Sequence, residues 1–174
     1  MAKKLRFLLF DADVVIEAWR RGVWRHMLTQ CHITLVDTVV DEACFFEEPG
    51  GTRQAIDLAP DITSGAVRVE TTSAAQLQDL VELVPESWRP ELHPGEAASL
   101  AWMLSQSPVE SWLICSADHI VFRILGKLGR SECGVSLEEL LELVGRRAST
   151  LARHFTKEYR VSVSRRGFAD GLAR

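Results

Sequence analysis

The segment LRFLLFDADVVI, residues 5–16, determines how the whole chain is interpreted. Its first half, Leu5 to Phe10, is almost entirely apolar and contains neither Gly nor Pro, which is typical of a strand buried on both faces of a parallel sheet. The run ends at two carboxylates, Asp11 and Asp13, and a helix-compatible segment follows. Because ligands bind beyond the carboxyl ends of strands in open α/β sheets, Asp11 is a candidate functional residue. A local role, in which Asp13 caps the helix and Asp11 belongs to the turn, explains this segment equally well.

Segments of strand and helix character alternate along the rest of the chain. Further strands are predicted at residues 33–36, 66–70, 112–115 and 133–135. Helices are predicted at residues 14–31, 39–46, 53–60, 73–84, 97–105 and 119–128, and after a capping-box sequence at 136–139. The alternation predicts an α/β fold with a central parallel sheet of four or five strands flanked by helices.

The bulk composition is that of one ordinary soluble globular domain. The chain has 174 residues, of which 47% are hydrophobic and 25% charged. No apolar segment approaches the roughly 20 residues that a membrane span needs, and Asp11 and Asp13 interrupt the apolar N-terminal run too early for a signal peptide. We therefore expect a cytoplasmic protein without a membrane partner. The four cysteines are dispersed without a Cys-x-x-Cys pair, which argues against a zinc site or a disulfide framework.

The net charge of −4 conceals an asymmetry along the chain. Residues 145–174 contain eight Lys or Arg residues and two acidic residues, whereas residues 1–144 are strongly acidic. We therefore divide the chain into a domain at 1–144 and a basic C-terminal appendage at 145–174. The appendage is compatible with a nucleic-acid contact, and equally with folding back onto the acidic body. The candidates for contacts with RNA phosphates are Arg146, Arg147, Arg153, Lys157, Arg160, Arg165 and Arg166.

Four carboxylates occupy positions at which a parallel sheet brings side chains together. Asp11 and Asp118 each follow an apolar strand, while Glu42 and Glu96 lie near the starts of helices. Like charges gathered in one cleft repel each other unless a cation compensates them. Carboxylate oxygens are preferred ligands of Mg²⁺ and Mn²⁺, and one or two such ions can clamp a phosphate and activate a water. Favourable interaction with helix dipoles is the alternative explanation for each acid taken singly.

Four motifs resemble, in their order along the chain, those of PIN-domain nucleases. They are FDADVVI at residues 10–16, VVDE at 39–42, GEAASLA at 95–101 and ICSAD at 114–118. The sequence GVSLEEL at 134–140 is similar to the closing strand and helix of that family. The resemblance extends over residues 5–143, and the basic segment that follows lies outside it.

The resemblance implies a PIN-like three-layer fold and a VapC-like, Mg²⁺- or Mn²⁺-dependent endoribonuclease that hydrolyses RNA phosphodiester bonds. It implies Asp11, Glu42, Glu96 and Asp118 as the catalytic metal ligands, with a metal-bound water as the nucleophile. A role as the toxin of a toxin–antitoxin pair, with an antitoxin partner and a homodimeric state, is also implied. Asp13 stands where the family more often has Asn, Ser or Thr, and it is therefore a secondary candidate. Ser116 is the other secondary candidate.

Two other functions fit parts of the sequence. Asp11 and Asp13 also resemble the first motif of HAD-type phosphotransferases, in which Asp11 would be the nucleophile and Asp13 the general acid/base. That family also needs a later Lys, and none occurs between Lys4 and Lys127. The third possibility is a PIN-like protein-binding module with a degenerate site, which would bind no divalent metal.

Overall fold

The computed structural model describes residues 5–147 and 149–173, with side chains from Leu8 onward. Among these residues, five strands form one all-parallel sheet in the spatial order β5–β2–β1–β6–β7, flanked by helices. The predicted α/β architecture with a central parallel sheet is therefore confirmed. The strands are β1 Leu5–Phe10, β2 Cys31–Val36, β3 Phe45–Glu47, β4 Arg53–Ala55, β5 Val67–Glu70, β6 Trp112–Cys115 and β7 Gly134–Val135. The helices are α1 Ala12–Arg20, α2 Trp24–Gln30, α3 Asp37–Glu42, α4 Ala59–Thr63, α5 Ala74–Leu83, α6 Pro94–Leu104, α7 His119–Lys127, α8 Leu137–Leu143 and α9 Lys157–Leu172, with 3-10 turns at Glu86–Glu91, Val109–Ser111, Ser131–Cys133 and Arg153–Phe155.

Strand β1 is the centre of the sheet. It pairs with β2 on one side and with β6 on the other, and the side chains of Leu8, Leu9 and Phe10 are at most 1% exposed. The continuous apolar character of this strand follows from its burial on both faces. The backbone N–H of Asp11 donates to the carbonyl of Cys115 at 3.1 Å, so the first acid lies at the last paired position of the strand.

Three of the predicted helices, at 14–31, 39–46 and 53–60, are wrong in part. The helix predicted at 14–31 is two helices, because the chain turns at Gly22 with φ +67 between α1 and α2. The helix predicted at 39–46 ends at Glu42, and β3 then pairs antiparallel with β4, where a weak helix was predicted. Gly50 and Gly51 adopt positive φ between the two strands, which lets the chain reverse and satisfy its backbone hydrogen bonds as a hairpin.

The C-terminal helix α9 packs tightly against α7. An ideal Cβ atom built on Gly126 would lie 2.1 Å from the carbonyl oxygen of Ser164, and one built on Gly167 would lie 2.0 Å from that of Arg123. The two helices therefore approach backbone to backbone, which only Gly permits. An ion pair between Arg123 and Asp170 at 2.9 Å adds a polar contact. No helix in the described parts of the chain combines the length and apolar character required to cross a bilayer.

Candidate metal centre

Asp11 and Asp118 meet at the carboxyl edge of the sheet through Ser116. The Ser116 hydroxyl donates to Oδ2 of Asp11 at 2.6 Å, and its oxygen accepts from the backbone N–H of Asp118 at 3.0 Å. The backbone N–H of Ala117 also donates to Oδ2 of Asp11, at 3.4 Å. Because β1 and β6 are parallel neighbours, both strands end at the same edge and their following acids converge.

The same two acids also cap helices. Oδ1 of Asp11 accepts from the backbone N–H of Asp13 at the start of α1, at 3.3 Å. Oδ1 of Asp118 accepts from the backbone N–H of Ile120 at the start of α7, at 2.9 Å. The local role predicted for such acids therefore coexists with their convergence. Capping also fixes the orientation of each carboxylate, which a binding site requires.

Glu96 joins the two aspartates from helix α6. This helix packs over β1, β2 and β6, so its first turn lies above the edge where Asp11 and Asp118 emerge. The Glu96 side chain is 13% exposed, and its Oε2 atom is buried and accepts no hydrogen bond from the described residues. Burial, followed by the negative charge of Asp11 and then of Asp118, raises the pKa of Glu96 to about 7.

The surroundings of Asp11 also disfavour the charged form of its carboxyl group. The residue is 5% exposed, and burial is the main reason that its pKa is raised to about 6. The hydrogen bond from Ser116 opposes this shift, while the charge of Asp13 adds to it. Asp13 itself is exposed, and its carboxylate acts on Asp11 through its charge. Ser116, the other secondary candidate, is fully buried and orients both aspartates.

Glu42 lies beside the start of α6, next to the cluster. An ideal Cβ on Gly95 would lie 2.5 Å from Oε2 of Glu42, so a side chain at position 95 would displace this carboxylate. Glu42 is exposed and is the last residue of α3, not a residue near the helix start as predicted, because α3 is only six residues long; α3 packs against α6. The structure thus brings three of the predicted ligands together at the edge of the sheet and positions the fourth against the residue preceding Glu96.

His93 belongs to the cluster although the sequence analysis did not select it. One ligand atom each from His93, Glu96 and Asp118 lie within 4.8 Å of one another. The imidazole Nδ1 of His93 is 3.6 Å from Oε2 of Glu96. The signal that could have identified His93 is its position three residues before Glu96 at a helix start, because residues i and i+3 share a helix face.

The basic residues of the C-terminal segment have different surroundings. Arg160 donates from Nε and Nη2 to the two carboxylate oxygens of Glu139, each at 2.7 Å, and its side chain is 14% exposed. Lys157, Arg165 and Arg166 line an open cavity of about 730 Å³ beside α9. Among the described residues of this segment, the exposed cations are Arg146, Arg147, Arg153, Lys157, Arg165 and Arg166.

Tyr159, the only tyrosine of the chain, was also missed by the sequence analysis. It lies in the first turn of α9 and is half-buried. Burial, followed by the charge of Asp118, raises its pKa, so α9 begins within electrostatic reach of the acidic edge. No sequence signal marks this proximity, which depends on the docking of α9.

Among the described residues, ligand atoms of His93, Glu96 and Asp118 lie close enough together that they could hold one cation, and Asp11 adjoins this group. Within residues 8–147 and 149–173, Asp11, Glu96 and Asp118 form no ion pair with Lys or Arg, and the imidazoles of His93 and His119 lie beside Glu96 and Asp118 respectively. The buried and unpartnered Oε2 atom of Glu96 needs a partner, and carboxylate oxygens with one imidazole suit Mn²⁺ and similar ions. In comparisons with known proteins, no family model matches the chain and no curated protein is significantly similar to it.

Proposed function

We propose that the protein is a metal-dependent endoribonuclease that hydrolyses RNA phosphodiester bonds on a PIN-like fold. The observation that carries this proposal is the convergence of Asp11, Glu96 and Asp118 without a Lys or Arg partner among the described residues. Acids that repel each other are kept close together in a folded chain when a bound cation offsets the repulsion or when the site is catalytic.

Asp11, Glu96 and Asp118 would hold the ion, and Glu42 would complete the site from α3. A divalent ion bound there supplies charge stabilisation for a phosphoryl group and lowers the pKa of a water molecule. The chain itself supplies the geometry. Ser116 fixes the separation of Asp11 and Asp118, and the close packing of Glu42 against Gly95 directs the fourth carboxylate towards the first turn of α6.

RNA is the proposed substrate because of the resemblance to PIN-domain nucleases and the basic segment that borders the acidic edge. The exposed cations Lys157, Arg165 and Arg166 lie along α9, whose first turn is within electrostatic reach of Asp118. Phosphate contacts of this kind favour nucleic acid without sequence preference. We leave Arg160 out of this set because Glu139 occupies its guanidinium group.

The roles as a toxin, with an antitoxin partner and a homodimeric state, rest on the resemblance alone. They stay predictions, and a small open reading frame beside the gene would support the first two. From the sequence, an apolar surface around Trp19 and Trp24 on the early helix could support a dimer, but Trp24 is 2% exposed and stacks on Trp19, which reduces the apolar surface available there.

Phosphotransfer through Asp11 is the less favourable alternative. A nucleophilic carboxylate must reach the phosphorus atom. Asp11 is 5% exposed, and both of its oxygens already accept hydrogen bonds from the chain. These contacts suit a ligand with a fixed orientation better than an attacking group.

The test is RNA cleavage by the full chain with Mg²⁺, with Mn²⁺ and with a chelator. We expect metal-dependent cleavage that falls by about a hundredfold or more in Asp11→Asn, because the loss of even an outer-shell partner of a metal site typically costs 10–100-fold. Asp79→Asn, in the exposed face of α5, is the matched control and should cleave like the wild type. Cleavage that persists in chelator, or an Asp11→Asn variant as active as the control, would refute the proposal. A chain that binds neither ion and cleaves no RNA would be a protein-binding module.

A further inference from the structure

The histidine that precedes helix α6 lies beside Glu96 without a hydrogen bond between the two side chains. His93 is the N-cap residue of α6, yet its side chain makes no capping hydrogen bond within the described chain. Its imidazole is 70% exposed, and Nδ1 lies 3.6 Å from Oε2 of Glu96, beyond hydrogen-bond distance. Glu96 occupies the position from which a capping-box acid would reach back to residue 93, but its Oε2 accepts no hydrogen bond from the described residues.

The backbone holds His93 in this position. The residue is extended, with φ −76 and ψ 164, as expected for a residue before proline, and Pro94 is the first residue of α6. The helical spacing then brings the side chains of residues 93 and 96 to the same side of the first turn. The arrangement therefore exists before any ligand binds.

The separations suit joint coordination of one ion. One ligand atom each from His93, Glu96 and Asp118 lie within 4.8 Å of one another. Ligands about 2.1 Å from an octahedral ion lie about 3 to 4 Å apart, so a small movement of the three side chains towards one another closes the site. No Lys or Arg in the described chain forms an ion pair with Glu96 or Asp118.

A second histidine orients one of these ligands. His119 lies between two carboxylates, with Nδ1 3.1 Å from Oδ1 of Asp118 and Nε2 2.7 Å from Oε2 of Glu91. Outer-shell partners of this kind fix the orientation of metal ligands. His119 therefore acts as a positioning residue, and the imidazole that faces Glu96 is that of His93.

We propose that His93 is a metal ligand, which coordinates through Nδ1 together with Glu96 and Asp118, and that it makes the site selective for Mn²⁺ over Mg²⁺. Imidazole nitrogen suits first-row transition ions, whereas Mg²⁺ prefers oxygen donors. This inference rests on the proposed metal site, but it concerns which ion the site selects rather than whether the protein cleaves RNA.

The experiment measures binding of Mn²⁺ and of Mg²⁺ to the metal-free full chain by calorimetry, with pulsed EPR of bound Mn²⁺ to detect coupling to imidazole nitrogen. We expect the wild type to show nitrogen coupling. In His93→Ala, the coupling should disappear and Mn²⁺ affinity should fall by about tenfold or more, while Mg²⁺ affinity changes much less. His32→Ala is the matched control and should resemble the wild type, because His32 lies near the amino-terminal end of β2, whereas the cluster lies at the carboxyl ends of the strands.

Glu96→Gln separates this inference from the proposed function. If the wild type binds Mn²⁺, Glu96→Gln loses it and His93→Ala binds it like the wild type, the assignment of His93 is wrong while the metal site stands. If the wild type binds neither ion, both proposals are overturned. Nitrogen coupling that persists unchanged in His93→Ala also overturns the assignment of His93.

Discussion

Glu17 and Glu96 are two glutamates in similar positions with opposite electrostatics. Both are in helices that flank the sheet, and their side chains are 7% and 13% exposed. Burial raises the pKa of each, but hydrogen bonds from Arg20 and Arg21 outweigh it at Glu17 and hold that pKa below its ordinary value. At Glu96 the charges of neighbouring acids add to burial, and the pKa rises to about 7. The difference is the presence of a cation, not the degree of burial.

The same contrast appears within one edge of the sheet. Glu139, which follows β7, is paired with Arg160, whereas Asp11 and Asp118, which follow β1 and β6, have no Lys or Arg partner in the described chain. Asp61 shows that a buried aspartate can also be satisfied, because it accepts from Trp24 Nε1 at 2.8 Å and pairs with Arg25. Among the described residues, the chain thus pairs several buried acids with Arg and leaves Asp11, Glu96 and Asp118 without a Lys or Arg partner, which makes this cluster the candidate functional site.

The largest expected effect on stability comes from displacing helix α9, which carries Arg160. Gly167→Ala places a methyl group against the carbonyl of Arg123, so α9 must shift away from α7. We expect a loss of about 2–3 kcal/mol in the free energy of unfolding, because overpacking outweighs the helix propensity gained by Ala. Urea denaturation measures this. Gly171→Ala, whose Cβ would lie 2.9 Å from the carbonyl of Lys127, should cost less. Equal stability of both variants and the wild type would contradict the tight docking of α9.

Removing one charge from each of the contrasted glutamates should change stability in opposite directions. Glu17→Gln removes the negative charge that pairs with Arg20 and Arg21 and replaces one of the two acceptor oxygens by a donor, and we expect a loss of about 1–2 kcal/mol in the free energy of unfolding. Glu96→Gln relieves repulsion, and we expect a gain of about 1 kcal/mol at pH 7.5 in chelator, reduced by solvent screening. Thermal and urea unfolding of the two variants in one buffer is the comparison. A destabilised Glu96→Gln would show that the carboxylate is already compensated.

The pH dependence of stability is the smallest of the three effects. The pKa values of Asp11 and Glu96 are raised in the folded state, to about 6 and about 7, so the folded protein binds their protons more tightly than the unfolded chain. Stability from these groups is therefore present at low pH and is lost as pH rises through about 6 to 7, at a cost of about 1 kcal/mol. Urea unfolding in chelator between pH 5 and 8 tests this. The double variant Asp11→Asn/Glu96→Gln should flatten the profile, and an unchanged profile in that variant would assign the effect to other groups.

The sequence was most informative where local pattern and global fold agree. The apolar run before Asp11 predicted β1, and the run before Ser116 predicted β6, because a strand buried on both faces has to be apolar throughout. The capping box of Ser136 and Glu139 correctly marked the start of α8. The convergence of Asp11 and Asp118 also followed from the sequence, since strands in a parallel sheet end at a common edge.

The sequence failed where distant contacts override local preference. Phe45 and Phe46 continue the apolar spacing of α3, yet they form a hairpin because the turn at Gly50 and Gly51 brings β4 beside them. The sequence did not identify His93 as part of the cluster, since its relation to Asp118 depends on the packing of α6 across the sheet.

The amino-acid sequence by itself determined the parallel sheet, the positions of its main strands along the chain and the two acids at the ends of β1 and β6, because periodicity and strand-end chemistry are local properties. Only the tertiary structure decided which charges are compensated. Arg20 and Arg21 reach Glu17 along one helix, but Arg160 reaches Glu139 only because glycines allow α9 to approach α7. Glu96 lies beside His93, and not beside a Lys or Arg in the described chain, because of the way in which the helices pack. The energy of a buried charge depends on the groups that the folded chain places within a few ångströms of it.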